Sequence, residues 1–180
     1  MAELHSWSDE RVSKYYSGQA TYLRTFNLAA KELETGIDGV LDFGPGKPIE
    51  EPDPLPDHSM KAYLDGPVRE AAEVYVNGVS AGFVWHPPYS LDVTRLLKPG
   101  VNTLKIIAGN TAINSLAGHA LPTYRLLNQR YGERFTPQDM GNLEPLPSGI
   151  LGDLQRAIFA TWVWANIVNN HVDIRGNSGE

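Results

Sequence analysis

The segment from Ala72 to Asn110 limits the fold more than any other part of the chain, because its turn chemistry is written out in order. Glu73-Val74-Tyr75-Val76 alternates in polarity, Asn77-Gly78 is the favoured pair for a type I′ turn, and Gly82-Phe83-Val84-Trp85 runs back. Pro87-Pro88 supplies no N–H donors to a ladder and ends the return strand. Asp92-Val93-Thr94 with Leu96-Leu97 reads as one helical turn, closed by Lys98-Pro99-Gly100. Thr103 to Ala108 is again a strand, with Leu104, Ile106 and Ala108 on one face.

The flanking sequence extends the pattern. Gln19 to Leu28 predicts a strand with Ala20, Tyr22, Phe26 and Leu28 in one alternating set, and Ala29 to Glu34 a turn or helix start. Gly36–Phe43, Met60–Leu64, Ile150–Leu154 and Ala157–Val168 are further strand candidates. The last is apolar on both faces, and its Trp162 and Trp164 read as filling between two sheets. Trp7 to Tyr16 is a polar lead-in whose aromatics are expected to pin it to the sheet. Thr111 to Gly118 reads as a loop of small polar residues, Leu121 to Tyr131 as partly helical or irregular, and Pro137 to Pro147 as loop. Residues 44–59 form a Pro-rich acidic loop with Glu50, Glu51, Asp53 and Asp57, expected on the surface. With 180 residues, 17 Gly, 13 Pro and no long amphipathic run, the balance favours one all-β domain with many turns, spanning residues 1–180.

Several function classes fall away. A net charge of −6 without any Lys/Arg cluster gives nucleic acid no basic surface. The longest apolar run, near Ile158 to Val168, is interrupted by Thr161 and Asn166 and is too short to span a bilayer, so no membrane partner is expected. Cysteine is absent, which removes disulfides, thiol nucleophiles and Cys-based metal sites but leaves the compartment undetermined. Met1 to His5 has neither the positive region nor the apolar core of an export signal.

Catalytic patterns are weak. Gly78-Val79-Ser80-Ala81-Gly82 matches Gly-x-Ser-x-Gly, with Asp92 and His119 following in the order of a hydrolase triad. A nucleophile elbow needs a strand, a strained turn and a helix, whereas Asn77-Gly78 makes a hairpin and Phe83 to Pro88 cannot open a helix. Gly44-Pro45-Gly46-Lys47 lacks the spacing and the Ser/Thr of a phosphate loop. The five His residues show no i,i+2 or i,i+4 pairing, so no zinc site is indicated. No catalytic residue is assigned, and the metal ligands remain unknown.

Asn77-Gly78, Gly82, Trp85, Pro88-Tyr89, Asp92-Val93-Thr94, Leu97, Gly100, Asn102 and Leu104 stand in order as in the sugar-binding domain of glycoside hydrolase family 2. Ser17 to Phe26 resembles that module's opening strand, and Pro147 to Gly152 the closing strand of the version found in family 106 α-L-rhamnosidases. The resemblance covers roughly residues 6–155, implies that the loop at 44–59 is an insertion, and leaves 156–180 as an extra strand and tail. It implies a jelly-roll, galactose-binding-domain-like β-sandwich, secreted or periplasmic. Such a module requires no cofactor, although jelly rolls often carry a structural calcium ion; no Asp-x-Asp pattern marks one here.

Its implied partners are a mono- or polysaccharide and a glycoside hydrolase catalytic domain, because the family's catalytic carboxylates sit on a separate barrel. The implied role is a non-catalytic carbohydrate-binding or accessory module. The alternative is a structural or protein-interaction sandwich with no sugar site, docking through a patch around Trp162, Trp164 and Tyr131.

Sugar recognition combines an aromatic face with amides or carboxylates for hydroxyls. The candidate contacts are Trp85, His86, Tyr89, Asn110, Asn114 and His119. The loop after the return strand, Asn110 to Asn114, lacks the carboxylate some relatives place there. The competing expectation packs Trp85 into the core or under Pro87-Pro88 and uses the two Asn side chains as turn caps.

Overall fold

The computed structural model describes residues 4–33, 38–49, 64–119, 123–135 and 143–151, together with the backbone pairing of three later strand segments. In chain order the strands are β1 (Gln19–Leu28), β2 (Asp38–Asp42), β3 (Lys47–Pro48), β4 (Leu64–Asp65), β5 (Val68–Arg69), β6 (Ala71–Val76) and β7 (Val79–Val84). They continue as β8 (Ser90–Asp92), β9 (Gly100–Gly109), β10 (Gly149–Ile150), β11 (Gln155–Phe159), β12 (Ala165–Asn166) and β13 (Val172–Asp173). Two short helices, α1 (Ile113–Gly118) and α2 (Arg125–Tyr131), follow β9.

The architecture is an all-β sandwich of antiparallel sheets. One sheet has the order β13-β1-β9-β6-β7 and the other β12-β11-β2-β8; β10-β5 and β3-β4 are separate pairs. Alternation in the central strands decides which side chains meet. Ala20, Val74, Ile106 and Ala108 point inward and are fully buried, with Ala72 and Val76 beside them. Leu41 of β2 and Phe43 just beyond that strand close the same core with Val93 and Ile150. Each fully buried Val, Leu, Ile or Phe side chain among them contributes roughly 1.5–3 kcal/mol by leaving water.

The hairpin forms as its residues require. Asn77 and Gly78 take φ 52° and 81°, the left-handed pair of a type I′ turn, between β6 and β7. The Asn77 side chain also works across the sheet: its Nδ2 donates to Leu96 O and Asn102 Oδ1, and its Oδ1 accepts from Thr103 N. Buried Asn102 in turn donates to Lys98 O and Gly100 O, so two amides set the path of the loop entering β9. The predicted helical turn is a 3₁₀ turn at Thr94–Leu96. Asp92 fixes its start by accepting from Thr94 N at 2.9 Å and Thr94 Oγ1 at 2.6 Å. These bonds hold the Asp92 carboxyl below its ordinary pKa.

Three expectations need correction. Residues 113–118 are helical and not loop, because contacts distant in sequence hold that turn: Asn114 is buried against residues 146–148, and Ser115 N donates to Ser17 Oγ at 2.8 Å. The strand expected over Ala157–Val168 starts earlier, as β11, and a separate short strand, β12, follows. Trp85 is not in the core; it is 64% exposed, since it follows inward-pointing Val84 and so faces out. Trp162, Trp164 and the 50–59 part of the acidic stretch lie outside the described residues.

Candidate functional site

The register places most candidate side chains at one end of the sandwich. Gly109 pairs with Gln19 on one side and Ala71 on the other, and β7 returns past Ala72 at Val84. Trp85 therefore emerges beside Ala71, two strands and about 10 Å from the start of the loop at Asn110. This end has a closed half and an open half.

The closed half is built around Asn110, Asn114 and Ser148. Asn110 Nδ2 donates to Tyr16 O and to Ser148 Oγ, each at 2.9 Å, while its Oδ1 accepts from Gly18 N at 2.8 Å. Asn114, only 1% exposed, donates to Leu146 O at 2.9 Å and to Ser148 Oγ at 3.0 Å, and accepts from Leu146 N at 2.9 Å. Ser148 N donates to Ser6 Oγ, and Trp7 N to Ser148 O. Each amide spends both its hydrogens inside the protein. A sugar oxygen could reach either Nδ2 only by breaking one of these bonds, so the two amides serve first as positioning groups.

Trp7 plugs the same region. It is buried, its ring meets Tyr16 edge to face at 5.8 Å, and its Nε1 donates to Tyr22 Oη at 2.7 Å. Burial pushes the Tyr22 pKa up, although the bonds from Trp7 and Ile150 N oppose that shift. Gly149 passes directly beneath with φ 97°, and a Cβ there would sit 2.6 Å from Tyr22 Oη. Only glycine fits that approach.

The open half holds Trp85, His86 and Tyr89. The Trp85 and His86 rings meet edge to face with centroids 4.3 Å apart and planes at 88°, and both are exposed. His86 Nδ1 lies 2.6 Å from Pro87 O. That carbonyl can only accept, so Nδ1 carries the hydrogen and, in the neutral ring, Nε2 is an acceptor. The Pro87-Pro88 peptide is cis. Tyr89 is half-buried and packs against the core: its carbonyl accepts from Phe43 N at 2.9 Å, and its hydroxyl would sit 2.8 Å from a Cβ at Gly66. His119, exposed after α1, turns Nδ1 onto the carbonyl of Ser115.

One residue absent from the sequence-derived set belongs here. Phe83 is 63% exposed and lies opposite Glu73 on the outer face of the sheet, two residues before Trp85. The signal was available: if Val84 points inward, Phe83 and Trp85 must both point out.

The triad pattern has no geometry behind it. Ser80 sits within β7, paired with Tyr75, and no helix follows it. Asp92 and His119 are engaged locally with Thr94 and Ser115. Among the described residues no three His, Asp or Glu side chains converge, so the described part offers no carboxylate cradle for calcium.

A β-sandwich of this kind occurs in glycoside hydrolases. The rhamnosidase from Novosphingobium sp. PP1Y matches 87% of this chain with a TM-score of 0.55 and 28% identity. A protein of Formosa agariphila named "Putative beta-glucuronidase" is 33% identical over 118 residues, 64% of this chain. A β-glucuronidase of Bifidobacterium dentium is a looser match, at 21% identity and a TM-score of 0.42 over 61% of the chain. The chain spans 12% of the rhamnosidase, 8% of the Formosa protein and 15% of the Bifidobacterium enzyme. No protein-family model matches it.

Proposed function

We propose that this chain is a non-catalytic carbohydrate-binding or accessory module of a glycoside hydrolase, related to the jelly-roll sugar-binding domain of family 2 and the rhamnosidases. One observation carries the reading: a solvent-exposed Trp85–His86 pair at the end of the sandwich, on a chain similar to a small part of glycoside hydrolases. The indole face suits the C–H patch of a pyranose, and His86 Nε2 would accept from a hydroxyl. Tyr89 follows the pair in the chain, half-buried, and His119 offers a second ring nitrogen after α1.

The chemistry of hydrolysis falls to another part of such an enzyme. Two carboxyl groups about 5–9.5 Å apart are needed, and the exposed end described here is aromatic. Calorimetric titration with rhamnosides, galactosides and plant or algal polysaccharides tests the reading. Measurable affinity that Trp85→Ala abolishes supports it; no heat with any of them leaves only a structural role.

That structural role is the second reading, and α2 favours it. Leu126 is 76% exposed there, with Leu127 and Tyr131 also presented to solvent. Such a face suits docking on a catalytic domain.

A further inference from the structure

We propose that Phe83 extends the Trp85 platform along β7, so that the rim of the five-stranded sheet binds an uncharged glycan through two or more consecutive sugar rings. The proposal rests on the sugar-binding reading above and names the ligand class for that site.

Phe83 and Trp85 flank the inward-pointing Val84, the last residue of β7, and both are exposed; at strand rise two residues span about 6.6 Å, comparable with the advance of one sugar ring along a glycan. The strand β7 is the last of its sheet, so no further strand flanks the two rings on that side. An apolar side chain as exposed as Phe83 on an edge strand does little for the fold and invites association. A stacking role accounts for its position.

The charges on the same face argue for a neutral ligand. Lys105 Nζ lies 4.1 Å from the Tyr75 ring centroid, covering it, and the register sets Lys105 directly opposite Tyr75. Glu73, opposite Phe83, lies by the Tyr75 hydroxyl and raises its pKa, chiefly by hydrogen bonding. Both charges on the described part of this face are thus directed at Tyr75, which takes the Tyr75 ring out of the platform and leaves no cation free to recognise a carboxylate. The chain's net charge of −6 also repels a polyanion. The ligand that fits is an uncharged chain whose successive rings can meet the two aromatics.

The test uses the whole chain with galacto- and xylo-oligosaccharides of one to four rings, and galacturonate oligomers of equal length as the acidic arm. Affinity should rise about tenfold from one ring to two or three in a neutral series. Phe83→Ala should erase that rise while keeping the single-ring affinity, and Phe83→Tyr should restore it. Thermal unfolding of each variant separates lost binding from lost fold. Binding that does not depend on length, a rise untouched by Phe83→Ala, or tighter binding of the acidic arm would each overturn the proposal and leave the sugar-binding reading standing. No binding in any series would overturn both.

Discussion

The two halves of one end of the sandwich use side chains that looked interchangeable in the sequence. Asn110 and Asn114 face inward, their hydrogen bonds spent on Tyr16, Gly18, Leu146 and Ser148. Trp85 and His86, two strands away, face solvent. The difference lies in whether a distant segment arrives to use the group. Residues 6–18 and 146–148 cover the first half. Nothing among the described residues covers the second.

The comparison breaks most visibly at Asn114. Asn114→Ala would strand Leu146 N and take one donor each from Leu146 O and Ser148 Oγ, and should cost roughly 3 kcal/mol in denaturant unfolding. A loss below about 1 kcal/mol would mean that the knot does not hold the fold. Tyr22→Phe comes next, at roughly 1–2 kcal/mol, because Trp7 Nε1 loses its acceptor while the packing stays.

On the open half the same kind of truncation should be nearly silent for stability. Trp85→Ala is expected within about 0.5 kcal/mol of the unaltered chain, while glycan affinity disappears. A stability loss like that of Asn114→Ala would show that the indole serves the fold after all.

The smallest effect concerns pH. Asp92 has a lowered pKa in the folded protein because Thr94 hydrogen-bonds its carboxylate. Its stabilisation is therefore present above the unfolded carboxylate value of about 3.9 and is lost as pH falls through the lower folded value. The melting-temperature gap between the unaltered chain and Asp92→Ala should persist at pH 7 and close only in that acidic range. A constant gap would locate the effect in the bond geometry and not in the charge.

Local chemistry explains what the sequence allowed one to read. Asn77-Gly78 can do little other than turn a hairpin, and alternation in β6 and β9 names the core directly. The α1 helix is hidden because six residues are too few to hold a helix alone and depend on Ser17 and Ser148. Ser148 meets Ser6 across 142 positions, which no local pattern reveals. Trp85 illustrates the opposite error: a tryptophan reads as core by habit, yet the alternation that buries Val84 turns it outward. The same alternation exposes Phe83.

The most direct test of the account is calorimetric titration of Trp85→Ala, beside the unaltered chain, with whichever glycan the unaltered chain binds. The account predicts no measurable heat of binding from a variant whose unfolding curve is unchanged. An equally well-folded variant that binds with unaltered affinity would contradict it.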